Sequence, residues 1–124
     1  MNTLGPPREL PLFTYGTLLD PEFTGRLLEH PVEAVGARLL DFELLRVESM
    51  PFATVFEAPG EVVEGRIYRG LGPGDWERLD HYEGVHEGLY TRIVVRVVAD
   101  DGDVSEPAFV YVATEKTLRR YGAS

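Results

Sequence analysis

One carboxylate in this chain stands on a stripe where a carboxylate does not belong by default. Trp76 to Glu83 reads as a short helix closed by Gly84. At about 100° per residue, Trp76, Leu79 and Glu83 fall within a narrow arc of one face, with Asp80 close beside them. Burial there disfavours the charged form of Glu83, and a neighbouring Asp80 pushes the same way. The product is a carboxylic acid suited to moving protons near neutral pH. Two other placements satisfy the pattern equally: Glu83 caps loop N–H groups, or it swings into water as the helix frays. Asp80 itself reads as a structural residue that holds backbone near the helix end.

A second stretch offers the complementary chemistry. Pro11-Leu12-Phe13-Thr14-Tyr15-Gly16-Thr17-Leu18 begins as strand formers and meets a glycine, and Asp20-Pro21-Glu22 then follows as a helix start. Gly16 admits backbone conformations closed to other residues and lets a ligand approach the main chain without meeting a Cβ. A strand that feeds a helix through a glycine leaves free N–H groups facing the gap, which is the chemistry of a carboxylate or oxyanion cradle. A plain strand-to-helix turn fits the same residues. Thr17 reads as a turn and hydrogen-bonding residue, because nothing beside it would activate its hydroxyl.

Other chemistries are poorly served. Cysteine is absent, which removes disulfides, thiolate catalysis and cysteine metal sites. Lys116 is the only lysine, so a Schiff-base mechanism is disfavoured. Metal binding by Asp80, His81, Glu83 and His86 lacks the spacing: no two histidines stand at i, i+4, and His81 projects from another face than Glu83. Ser49, Ser105 and Ser124 sit in no nucleophile elbow. The net charge of −9 disfavours nucleic acid and anionic membranes as partners.

The chain of 124 residues, 44% hydrophobic and 27% charged, fits one domain with a real core. No signal-like segment or apolar run of about 20 residues is readable, so the expectation is a cytoplasmic protein. Residues 1–10 read as a loose leader, 11–114 as one domain and 115–124 as a polar tail. Within the domain, strands are expected at about 11–16 and, long or bulged, at 32–47. Residues 53–57 and 62–68 read as a strand pair joined through Pro59-Gly60, and two further strands at 89–98 and 107–114 flank Asp101-Gly102. Met50-Pro51-Phe52 breaks the chain between them. Gly65 marks a bulge or a close backbone approach. Helices are expected at 21–29, ended by His30-Pro31, and at 76–83. In the strand at 89–98, Thr91, Ile93, Val95 and Val97 share one face with Leu89, and Tyr90, Arg92, Val94 and Arg96 share the other. Many short strands with two short helices point to an α+β fold whose sheet curls toward a barrel, with room for a small ligand at its mouth. No heptad is readable, and the oligomeric state stays open.

With Tyr15-Gly16-Thr17-Leu18, Leu79-Asp80-His81-Tyr82-Glu83-Gly84 and Tyr90-Thr91-Arg92 in this order, the chain resembles the γ-glutamylcyclotransferase-like family. It looks closest to the branch of the plant avirulence-induced AIG2-like proteins and the γ-glutamylamine cyclotransferases. Val63-Glu64-Gly65-Arg66-Ile67-Tyr68 and Phe109-Val110-Tyr111 look like the family's strand segments. The resemblance implies a small mixed β-barrel with helices packed outside, a pocket where the Tyr-Gly-Thr-Leu backbone holds a glutamyl group, and Glu83 as catalytic acid/base. It also implies a cofactor-free reaction, in which the α-amino group of a γ-glutamyl amine or peptide attacks its own γ-carbonyl and releases 5-oxoproline and an amine. On that reading the N–H groups of Gly16 to Leu18 grip a carboxylate or oxyanion, Tyr15 and Tyr111 line the pocket or pack with bonded hydroxyls, and Arg92 balances a carboxylate or plays a structural part. The alternative is a non-catalytic binding protein that keeps the pocket; Glu83 salt-bridged by an arginine, or a pocket filled by Met50 or Phe52, would favour it.

Overall fold

In a computed structural model that describes residues 10–46 and 53–120, the chain opens with the three-residue strand β1, Leu12–Thr14, which is buried on both faces. A one-turn 3-10 helix, Thr17–Leu19, separates it from α1, Pro21–Leu28. The start of α1 follows from its residues. Asp20 accepts a hydrogen bond from the Glu22 N–H at 3.0 Å, and Pro21 takes the first turn, where its missing N–H is no loss. The inserted turn moves this N-terminus away from Gly16, so the expected direct passage from glycine to helix is not what forms.

Strand β2, Ala34–Arg46, pairs antiparallel with β3, Ala53–Tyr68, over almost its whole length. The expected pair of strands joined through Pro59-Gly60 is one strand instead. Both halves run in the same direction along β2, and the register jumps from Leu40↔Val62 to Phe42↔Glu57, so the Pro59-Gly60 segment bulges out opposite Asp41. Asp41 (φ 63°) and Gly60 (φ 86°) both take left-handed backbone, and the Asp41 carboxylate receives the Gly60 N–H at 2.9 Å. That bond satisfies the bulge locally, so the ladder resumes beyond it.

Helix α2, Pro73–Tyr82, starts a turn earlier than expected, because Asp75 reaches back to the Gly72 N–H at 3.0 Å and Pro73 stands in the first turn. Strands β4, Tyr90–Ala99, and β5, Glu106–Ala113, form an antiparallel pair. The expected polar tail holds a further helix, α3, Glu115–Arg120. Its first turn is capped by Thr114, whose hydroxyl receives the Thr117 N–H, and Thr117 is almost fully buried. A cap and one buried hydroxyl leave no apolar stripe for a sequence reading to detect.

The five strands close a barrel in the order β1-β3-β2-β4-β5, with β1 parallel to β5 and every other pair antiparallel. Alternation along the strands then builds two cores. Phe13, Leu39, Ile67, Val97 and Val110 fill the barrel, while Leu12, Tyr68 and Tyr111 point outward against Leu28, Trp76 and Leu79 of the helices. Burying Trp76 and Leu79 stabilises the docking of α2 by about 2 kcal/mol each. Gly65 is a close approach: a Cβ there would lie 2.2 Å from the Thr14 carbonyl oxygen and 2.6 Å from the Phe13 ring. The glycine lets β1 press against β3 at the point where the chain leaves for Tyr15 and Gly16.

Candidate active site

At the end of the barrel where β1 stops, the described residues line a cavity of about 510 Å³. Tyr15, Gly16, Thr17 and Leu18 form one side of it, Tyr82 and Glu83 at the end of α2 another, and Tyr90 and Tyr111 come from β4 and β5. The two stretches singled out in the sequence, more than sixty positions apart, therefore meet in one space.

Gly16 has φ −133°, and a Cβ built on it would meet no protein atom within 4 Å. Its contribution is open room beside the main chain, not a left-handed turn. The Leu19 N–H closes the turn on the Gly16 carbonyl at 2.9 Å, which leaves the N–H groups of Thr17 and Leu18, the first of that turn, without a partner inside it. Two bonds hold the turn in place: the Tyr68 hydroxyl donates to the Leu18 carbonyl at 2.6 Å, and the Thr24 hydroxyl donates to the same oxygen at 2.9 Å. Thr17 shares a 3.0 Å hydroxyl contact with Tyr82, so the turn is tied to α2 one residue before Glu83.

Glu83 is half-buried at the C-terminus of α2, where Gly84 (φ 69°) ends the helix and packs so closely on Leu89 that a Cβ would meet its Cδ1 at 2.8 Å. Burial pushes the Glu83 carboxyl up to about 7. Among the described residues it has no hydrogen-bond or ion-pair partner, so neither the capping of loop N–H groups nor an exposed, frayed position describes it. Asp80 contributes nothing to the shift, contrary to expectation, because it is engaged elsewhere. Its Oδ1 lies 3.0 Å from Arg92 Nε and accepts the Tyr111 hydroxyl at 2.6 Å.

Arg92 accordingly stands outside the cavity wall. Its guanidinium lies 4.6 Å from the centre of the Trp76 ring and 4.8 Å from that of Phe109, stacked between α2 and the barrel. It does balance a carboxylate, but one that positions the helix. The three wall tyrosines spend their hydroxyls on structure. Tyr15 donates to the Tyr111 carbonyl at 2.6 Å, Tyr90 to the Ala53 carbonyl at 2.7 Å and Tyr111 to Asp80, and burial raises the pKa of all three. They shape the space and carry no spare proton to Glu83.

Sequence reasoning did not assign Arg46, Tyr82, Tyr90 and Thr117 to the cavity. Tyr82 could have been found as the neighbour of Glu83. Arg46 and Thr117 carry no sequence signal, since they arrive from a strand tip and from the segment read as a tail. Met50 and Phe52, which were expected to bear on whether the pocket is filled, lie outside the described residues.

A family model described as gamma-glutamyl cyclotransferase, AIG2-like, matches residues 12–123. The chain belongs to this family. Protein AIG2 C of Arabidopsis thaliana is 25% identical over 121 residues, covering 97% of this chain and 72% of that protein. Gamma-glutamylcyclotransferase of Homo sapiens is 34% identical over 111 residues, covering 79% of this chain and 57% of that protein. The solution structure of an Arabidopsis thaliana protein, 24% identical, has the same fold with a TM-score of 0.78, covering 99% of this chain and 73% of the other. The chain spans from 51% to 72% of the length of the curated relatives it matches. The family's closed barrel with short helices outside is the fold expected from the sequence, and no described helix is long and apolar enough to cross a membrane.

Proposed function

We propose that this protein is a γ-glutamyl cyclotransferase in which Glu83 is the general acid and base. The observation that carries the reading is an unpartnered, half-buried Glu83, raised to about 7, in the same cavity as the Gly16–Leu18 turn. At neutral pH such a group is present in both protonation states, which the reaction needs.

The γ-glutamyl carboxylate or the developing oxyanion would sit against the N–H groups of Thr17 and Leu18, with Gly16 giving access and Tyr15 and Tyr111 walling the space. Glu83 takes a proton from the substrate ammonium, and the freed nitrogen attacks the γ-carbonyl to form the new C–N bond of the ring. The amide C–N bond then breaks as Glu83 returns the proton to the leaving nitrogen, and the second proton lost by the ring nitrogen ends on the released amine, which leaves as its ammonium. The products are 5-oxoproline and an amine, and no oxidant, metal or second substrate enters the balance. Ring closure is intramolecular, so a folded pose enforced by the walls supplies much of the rate.

A non-catalytic binding protein with the same pocket is the other reading. The feature that would favour it, an arginine on Glu83, is not what Arg92 does, because its partner is Asp80. The test is release of 5-oxoproline from a panel of γ-glutamyl amino acids, peptides and amines, with Glu83→Gln beside the wild type. Release that vanishes in the folded variant supports the assignment; no release from any substrate, with a small acid still raising the melting temperature, moves the assignment to the binding protein.

A further inference from the structure

Arg46 ends β2 at the cavity, and nothing in the reaction described above uses it. Its register partner is Ala53, which also lines the cavity. The tip of the β2–β3 ladder is pinned over the barrel mouth by two bonds, from the Tyr90 hydroxyl to the Ala53 carbonyl at 2.7 Å and from the Ala113 N–H to the Thr54 hydroxyl at 2.9 Å. The backbone of Arg46 is thereby held at the mouth beside the start of β4 and the end of β5.

Arg26, Arg69, Arg78, Arg92 and Arg119 each pair with a carboxylate. Arg46 has no carboxylate partner among the described residues, and it is the one cationic side chain among those that line the cavity. In a chain of net charge −9 it makes a local positive point at the entrance. If the turn and Glu83 hold the glutamyl half, as the cyclotransferase reading on which this inference rests requires, the remainder of the substrate extends toward the mouth. We infer that Arg46 selects leaving groups that carry a carboxylate, so that the substrates are γ-glutamyl amino acids or peptides in preference to neutral γ-glutamyl amines. A guanidinium matches a carboxylate with two parallel N–H donors, and a cavity of about 510 Å³ accommodates a ligand the size of a dipeptide.

The test is kcat/KM for 5-oxoproline release from γ-glutamyl-alanine and from γ-glutamyl-alaninamide, in the wild type, Arg46→Ala, Arg46→Lys and Arg46→Glu. The readout is the ratio of the two substrates, which cancels any loss common to both. The wild type is expected to prefer the free acid by roughly tenfold. Arg46→Ala should bring the ratio close to one, Arg46→Lys should keep part of it and Arg46→Glu should reverse it. A wild-type ratio near one, or an equal fall on both substrates in Arg46→Ala, overturns the inference and leaves the cyclotransferase intact. Release from neither substrate, nor from any other γ-glutamyl compound, overturns the cyclotransferase reading and this inference with it.

Discussion

Asp80 and Glu83 lie three residues apart on one face of α2, and the fold treats them in opposite ways. Asp80 faces the barrel wall, where Arg92 and Tyr111 converge on it. Glu83 comes one turn later, at the helix end, where it lines the cavity together with Tyr15, Tyr82, Tyr90 and Tyr111. Both are removed from much of the solvent, so burial alone does not separate them. Partnership does: a guanidinium and a phenol make Asp80 a fastening between helix and barrel, and their absence leaves Glu83 with a raised carboxyl, the property on which its proposed role as a proton carrier rests.

The largest effect expected from breaking this contrast is on catalysis. Glu83→Gln should lower kcat by about 10²- to 10⁴-fold, the range for a lost general acid/base. In the wild type, kcat/KM should rise with pH to half its maximum near pH 7, where the Glu83 carboxyl ionises. A profile already flat at pH 6 would assign the chemistry to another group.

The same variant carries the next effect, on stability and with the opposite sign. The Glu83 carboxyl is raised from 4.5 to about 7, so the native state binds more protons than the unfolded chain between those values and stability falls as pH rises through them. Glu83→Gln is therefore expected to unfold at higher urea than wild type at pH 8, by about 2–3 kcal/mol, and at the same urea at pH 4.

At Asp80 the expectation reverses. Asp80→Ala strands Arg92 and the Tyr111 hydroxyl and should cost about 2 kcal/mol, tempered by the partial exposure of the pair, while activity per folded molecule stays within roughly threefold. Loss of activity with full stability would mean that the two carboxylates work together after all. Tyr111→Phe removes one of the two partners and should cost about 1 kcal/mol, seen as a small fall in melting temperature, without moving the pH midpoint of catalysis.

Much of this was legible in the residues. The cap at Asp20, the first-turn Pro21, the stop at Gly84, the long β2 and the alternation of β4 are written in local chemistry that each segment carries wherever it is placed. What failed was long-range. Pro59-Gly60 carries the composition of a turn, and only the continued pairing of both flanks with β2 makes it a bulge. The segment after Thr114 is mostly polar, and the bonds from Thr117 to the Leu89 carbonyl at 2.8 Å and from Lys116 to the Glu87 carbonyl at 3.2 Å show that it docks at the barrel end.

The sequence by itself determined that Glu83 stands on the buried stripe of a helix and that a glycine turn follows the first strand, because helical period and strand alternation are properties of neighbouring residues. Which carboxylate is paired, that Arg92 serves Asp80 and not the cavity, and that Arg46 stands at its mouth were decided by barrel closure alone. Closure brings together side chains tens of residues apart, and their distances, not their order, set which charges are neutralised.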